Sequence, residues 1–312
     1  MTERNTTVSH DLSSPTPALT LLRGPLPILA AAVLWGTTGT AATLGASHAP
    51  AAAVGSAGLV LGGFLLFLTG RGAWALLARG DRSTRRTLAL GAVAVAGYPL
   101  TFYPAVSEAG VAVATVITLG SSPVFSGLLA WWADRRRPDP RWTVATAAAV
   151  AGCAVLVLGS EDGGTDPVRP LGVLAALAAG FSYSAYALIA ERLIRRGHGS
   201  SAVMGALFLG GGLLALPVVA ALGAGWLATG SGAAVALYLA VFTVFLAYRL
   251  FGQGLRHTPA VVATTLTLAE PAVAALLGVL VLHERLAPAS WTGLAVLVLG
   301  LAVLRAPSPR RP

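Results

Sequence analysis

The chain has no lysine, a single cysteine and few charges of any kind. Only 11% of its 312 residues are charged, against roughly 25% in an ordinary soluble domain. Each shortage removes a class of function. Without lysine there is no phosphate-binding loop ending in Gly-Lys-Ser/Thr, which excludes an ATP-driven pump of that kind. One thiol, Cys153, cannot close an internal disulfide and reads as a small packing residue. No aspartate lies inside an apolar stretch, and His10, His48, His198, His257 and His283 fall in a tail or near the ends of such stretches. Neither a zinc-type cluster nor a nucleophile with its base can be assembled from them. No catalytic residue, metal or cofactor is therefore expected. Basic blocks interleaved with aromatics are also missing, so the formal charge of +9 does not indicate nucleic acid.

What is abundant is apolar surface. Hydrophobic residues make up 55% of the chain and the mean hydropathy is +0.76. Apolar blocks of about 18 to 23 residues recur along it, each long enough to cross a hydrocarbon core of about 30 Å as a helix. They lack the alternation of a barrel strand, and their Ala, Leu and Gly content suits helix packing. An all-α integral membrane protein of ten spans follows, at about 26–46, 51–69, 87–104, 109–132, 142–159, 171–190, 201–221, 233–252, 259–282 and 290–305. Residues 1–25, polar and rich in Ser, Thr and Pro, read as a disordered tail without a signal core.

The charges set an orientation. With the amino terminus in the cytoplasm, nineteen arginines fall on that side and only Arg169 and Arg285 on the other. The positive-inside rule then places both termini in the cytoplasm of a bacterial-type plasma membrane, with anionic lipid as a partner of the basic face.

A repeat organises the whole chain. A shift of 148 lays "GLVLGG" at 58–63 over "ALFLGG" at 206–211, and "SSPVFSGLLA" at 121–130 over "AEPAVAALLG" at 269–278. Pro123 meets Pro271, Pro140 meets Pro288, and Gly152 meets Gly300. Five spans per copy is an odd number, so the second copy enters the membrane upside down. Inverted repeats place a binding site near the midplane between the copies, the architecture of a carrier. The expected divisions are a tail at 1–25, a first five-helix repeat at 26–159, an external linker at 160–170, a second five-helix repeat at 171–305 and a tail at 306–312.

These features resemble the EamA family of the drug/metabolite transporter superfamily. The likeness rests on two five-span halves, the Trp35-Gly36 pair, the central prolines of the fourth and ninth spans, and the run from Glu270 through "HERL" at 283–286. It covers about residues 26–305, although the first copy departs from it with "ADRRRP" at 133–138. The resemblance implies a secondary transporter, here expected to export a small metabolite, with the central spans bordering a cavity. A non-transporting scaffold or receptor is the competing reading, because a repeat shows ancestry rather than activity.

Candidate cavity residues come from polar or aromatic groups set deep in apolar spans. Trp35 lies mid-span and either packs between helices or offers a flat wall and one N–H donor. Tyr183 and Tyr186, three apart, share a face of the sixth span. Tyr98 stands beside Pro99, and Ser122 beside Pro123, at the end of a stripe with Thr115 and Thr118; the ninth span repeats that stripe as Thr264, Thr267 and Glu270. Such stripes are more often interhelical bonding surfaces than ligand sites. The expected cavity set is Trp35, Tyr98, Ser122, Tyr183, Tyr186, Thr267 and Glu270, with Pro99, Pro123 and Pro271 as breaks or hinges.

Glu270 stands apart. A bare carboxylate at mid-membrane costs at least about 2.5 kcal/mol, which calls for a proton or a wet cavity. Pro271 cannot donate to the Thr267 carbonyl, so a protonated Glu270 bonded to a freed carbonyl is one reading and a proton-coupled gate the other. With no basic residue at mid-span, the cargo is expected to be neutral, zwitterionic or cationic, an amino acid or drug-like compound, with protons as coupling ion.

Overall fold

The computed structural model describes residues 23–45, 50–135, 139–159, 169–283 and 285–305. The expected tails and external linker lie largely outside these residues, as does Glu284 of the "HERL" run. Among the described residues there is no strand, and nine helical segments are long and apolar enough to cross a membrane. A tenth apolar helix, Pro288–Leu304, is shorter.

The first span is two helices, Pro25–Gly36 and Thr38–Gly45. The second is Ala51–Thr69, the third Arg82–Ala109, the fourth Val111–Asp134 and the fifth Pro140–Leu158. The sixth is Pro170–Arg195 and the seventh Ser200–Leu222. The eighth runs through Gly230–Tyr238, a π-helical stretch Leu239–Leu246, and Ala247–Gly254. The ninth is again two helices, Ala260–Leu266 and Ala269–Val281.

Several spans begin on chemistry suited to the membrane edge. Pro25, Pro140 and Pro170 open their helices, where a missing N–H costs nothing. Asp81 and Asp139 cap the third and fifth spans, accepting the N–H groups of Thr84 and Arg141 at 3.0 Å each. Hydrogen bonds from Thr84 hold the exposed Asp81 carboxyl below its ordinary range. The third helix starts five residues before its apolar block because Arg82, Arg85 and Arg86 occupy its first turns at the headgroup level. A short helix absent from the sequence reading, Ala73–Arg79, buries Ala73 and Leu76 and leaves Trp74 exposed, the posture of an interfacial segment.

The packing carries the repeat's symmetry. The second span packs on the seventh and the fifth on the tenth, each with its own mate under the 148-residue shift. The third packs on the sixth as the eighth does on the first, and the fourth packs on the sixth as the ninth does on the first. Glycines show the same exchange at atomic level. A side chain at Gly152 would strike the backbone of Leu297, and one at Gly300 the backbone of Ala149; Leu297 and Ala149 are themselves mates. These small-residue crossings bring backbones together where lipid offers no hydrophobic drive for helix association. Leu90, Val93, Leu174, Leu237, Leu280 and Leu299 are exposed on the outer faces, as a lipid-facing surface requires.

Pro99 and Pro123 do not break their helices: the third and fourth spans run on through them. One missing N–H is tolerated when neighbouring helices clamp the segment on both sides. Pro271 sits inside the first turn of the second half of the ninth span, just past a true interruption.

Candidate substrate cavity

Between the two halves lies a cavity of about 230 Å³, to which every span except the fifth and tenth contributes. Trp35 and Thr38 face it from the first span, and their repeat mates Tyr183 and Tyr186 from the sixth. Tyr98, Phe102 and Tyr103 form the third-span wall, and Thr243, Val244 and Tyr248 the eighth-span wall. Thr115 comes from the fourth span and Glu270 from the ninth.

Three of these walls depend on interrupted helices. In the first span, Thr37 turns back on Leu34, its hydroxyl and its N–H donating to that carbonyl at 2.6 and 3.2 Å. Gly36 beside it lies against Val273 and the carbonyl of Glu270, where no side chain would fit. In the ninth span the Thr267 carbonyl, which Pro271 cannot serve, accepts from the Glu270 N–H at 3.0 Å, and Leu268 N–H donates to the Thr265 carbonyl at 3.1 Å. These tight turns end one helix and start the next. The Thr267 carbonyl thus keeps a backbone donor despite Pro271. In the eighth span the π-helical stretch brings Leu239, Thr243 and Val244 to the cavity. Irregular backbone at this depth is sustained only where protein or a cavity lines it, and π turns recur at functional sites.

The Trp35 indole N–H donates to the Thr243 carbonyl at 2.8 Å. It fastens the first span to the π turn and leaves only the ring as wall. That ring lies 4.9 Å from Tyr248 and 6.4 Å from Tyr183, centroid to centroid. The Tyr183 hydroxyl shares a hydrogen bond of 2.8 Å with Thr267 Oγ1, and Tyr186 donates to the Tyr248 hydroxyl at 3.3 Å. Glu270 is half-buried, and among the described residues its carboxyl has neither hydrogen bond nor ion pair. It lines the same cavity as Tyr98, Tyr183 and Tyr248.

Of the residues singled out in the sequence, Trp35, Tyr98, Pro99, Tyr183, Tyr186 and Glu270 reach the cavity wall. Ser122 does not. It is fully buried, and its hydroxyl donates to the Thr118 carbonyl at 2.7 Å and to Gly180 of the sixth span at 3.4 Å. Ser184 returns the contact, donating to the Ser122 carbonyl at 2.7 Å. Thr267, also buried, stands behind Tyr183 as its partner, and Pro123 and Pro271 are likewise off the wall. Tyr103, Thr243 and Tyr248 were missed. The Pro99 to Pro104 interval with its paired aromatics was a usable signal for Tyr103. Tyr248 had none, because a π turn shifts the register that a helical period assumes.

The cavity is closed on the side of the amino terminus. Beyond Tyr186 and Tyr248, buried Phe208, Phe251, Ile28, Met204, Leu193 and Leu255 form a continuous plug. Buried Glu191 of the sixth span fastens it, accepting the Ala260 N–H at the start of the ninth span at 2.8 Å and Arg195 Nη1 at 3.1 Å. The lining instead extends through Thr38, Gly55, Tyr103 and Thr115 toward the opposite side.

The model of the EamA-like transporter family matches this chain twice, over residues 22–158 and 170–306. The chain belongs to the EamA-like transporter family. This transporter is 38% identical over 285 residues to "Uncharacterized transporter YwfM" of Bacillus subtilis (strain 168), spanning 91% of this chain and 94% of that one. It is 26% identical over 296 residues to "Uncharacterized inner membrane transporter YicL" of Salmonella typhimurium (strain LT2), spanning 93% and 97% of the two chains. A solved crystal structure shares the fold of this EamA protein with a TM-score of 0.74 at 22% identity, over 90% of this chain and 98% of that one. The protein is thus a multi-pass membrane transporter rather than an enzyme.

Proposed function

We propose that this EamA transporter is a proton-coupled secondary carrier that moves a small neutral, zwitterionic or cationic metabolite out of the cell by alternating access through the central cavity. The observation that carries the reading is the pairing of a midplane cavity, built from both inverted halves, with one carboxyl on its wall, Glu270, that has no ion pair or hydrogen bond among the described residues. A single acidic group that a proton and a cargo cannot both satisfy makes the two exclude each other. Under an inward proton gradient, exclusive occupancy drives cargo outward. The cavity, plugged on the amino-terminal side and reaching toward the other, corresponds to one of the two access states such a cycle needs.

The arginine distribution supports cytoplasmic termini, which makes the plug the cytoplasmic gate. Reporter fusions after Arg86 and Arg196 should then report cytoplasm, and fusions near Arg169 and Arg285 the exterior. The function is tested by comparing the metabolites of cells with and without the gene, then following the enriched solutes in proteoliposomes holding the purified protein. Solute movement that quickens under a pH gradient and stops when the gradient is collapsed supports the reading. Transport indifferent to the gradient removes the coupling, and no transport of any enriched solute removes the carrier role.

A further inference from the structure

The chemistry of the cavity is one-sided. Among the described residues no arginine or histidine lines it, and with no lysine in the chain an anionic group would meet no counter-charge there. Three donors on its wall, those of Trp35, Tyr183 and Tyr186, are already engaged inside the protein. Trp35 Nε1 is on the Thr243 carbonyl at 2.8 Å, the Tyr183 hydroxyl is shared with Thr267, and the Tyr186 hydroxyl is on Tyr248. With those groups turned to protein, these side chains leave mainly ring surface to a ligand.

Tyr98 stacks on Phe102 at 7°, with centroids 5.6 Å apart, but the other ring pairs on the wall are tilted or edge-on. Trp35 meets Tyr183 at 90° and Tyr248 at 52°, and Tyr98 meets Tyr183 at 67°. Rings set at steep angles form the sides of a box, and ring faces attract a cation through their quadrupole. On the wall of the same cavity stands Glu270, which has no hydrogen-bond or ion-pair partner for its carboxyl among the described residues. A carboxylate at this depth is stabilised by an opposite charge.

We propose that the cavity recognises an organic monocation, an amine or quaternary ammonium with a compact apolar body, whose head lies between the Trp35, Tyr98, Tyr183 and Tyr248 rings and the Glu270 carboxylate. The inference rests on the carrier reading above and narrows its cargo. A zwitterion brings a carboxylate that finds no basic partner and faces Glu270. A dication finds one carboxylate for two charges. The volume of about 230 Å³ equals that of about eight waters in the liquid, which suits a small amine rather than a long-chain detergent.

The test is equilibrium binding to the full-length protein in lipid nanodiscs, with four probes of similar bulk: benzyltrimethylammonium, benzyl alcohol, phenylalanine and benzoate. The cation should bind saturably and at least about tenfold more tightly than any of the others. Glu270→Gln should weaken the cation by at least about tenfold without changing benzyl alcohol, whereas Glu270→Asp, which keeps the charge, should stay within about threefold of the parent. Trp35→Leu should weaken the cation more than the alcohol. Absence of cation binding, equal or tighter binding of alcohol, amino acid or benzoate, or an unchanged cation affinity in Glu270→Gln overturns the proposal. Counterflow of cell-extract solutes in proteoliposomes separates this outcome from failure of the carrier reading. Transport of non-cationic solutes with no cation binding rejects only the cargo class, and cation binding with no transport of any solute rejects only the carrier.

Discussion

The third, fourth and sixth spans and the eighth, ninth and first spans are equivalent trios under the repeat, yet the membrane-depth backbone of the two differs. The third, fourth and sixth are uninterrupted helices, even past Pro99, Pro104 and Pro123. In the other trio the eighth contains a π stretch, the ninth breaks at Thr267 and Leu268, and the first breaks at Thr37. The mates Ser122 and Glu270 summarise the contrast. Ser122 turns its hydroxyl into the fourth–sixth seam, which Thr118 and Ser184 reinforce. Glu270 sits one residue before an equivalent proline, but its helix has just restarted and its carboxyl faces the cavity. Gene duplication gave both trios one plan; hydroxyl bonds made one a frame, and tight turns around a carboxylate made the other a set of joints.

The largest expected effect comes from Glu270→Gln, which keeps shape and neutral donor but cannot titrate. It should insert normally and still exchange solute, at an apparent affinity for the cation lowered by at least about tenfold, while losing pH-driven accumulation entirely, measured in proteoliposomes with and without a gradient. Its counterpart Ser122→Ala should leave accumulation unchanged and lower stability by about 0.6 kcal/mol, the mean for an interhelical hydrogen bond in membranes. Loss of accumulation in Ser122→Ala, with Glu270→Gln unaffected, would invert the assignment of frame and joint.

Next in size is the proline pair. Pro271→Ala restores an N–H that can reach the Thr267 carbonyl and extend the helix through the break, so transport should fall by roughly tenfold, about 1.4 kcal/mol of barrier. Pro123→Ala, in a helix already continuous, should change the rate less than about twofold. Equal effects at both prolines would mean that the ninth-span break has no part in the cycle.

Glu191→Ala tests the latch on the plugged side. It leaves the Ala260 N–H buried without its acceptor, a loss of about 1–3 kcal/mol, and should populate the state open toward the amino-terminal side. A cysteine at Ile28 in a Cys153→Ala background should then react faster with water-soluble thiol reagents applied from that side. Glu191→Gln keeps an acceptor for Ala260 and should react as slowly as the parent. The smallest effect is expected from Trp35→Phe, which keeps a ring but loses the bond to Thr243; transport should drop by about threefold, as for one modest hydrogen bond.

Much of this could be read from sequence, because the membrane makes the pattern strict. Apolar length placed the spans to within about five residues at their ends, and the 148-residue shift exposed the pairing of the halves. Trp35, Tyr98, Tyr183, Tyr186 and Glu270 were visible because a polar or aromatic group at mid-span is costly without a reason. The interruptions at Thr37 and Leu268 were not. Their turns are closed by single hydrogen bonds and by the approach of Gly36 to Glu270, contacts 234 positions apart in the chain. Tyr248 was hidden by the π register. Glu191 was hidden by its neighbours, since a glutamate four residues before Arg195 near a span end looks like an ordinary surface pair until Ala260 is brought onto it.

The distinction between frame and joints is tested most directly by amide hydrogen exchange on the full-length transporter in a lipid bilayer. Peptides covering 36–38, 239–246 and 266–271 should exchange measurably faster than their mates at 184–186, 91–98 and 118–123, and a bound cargo should slow the first set while leaving the second unchanged. Equal protection in the two sets, with or without cargo, would contradict that distinction.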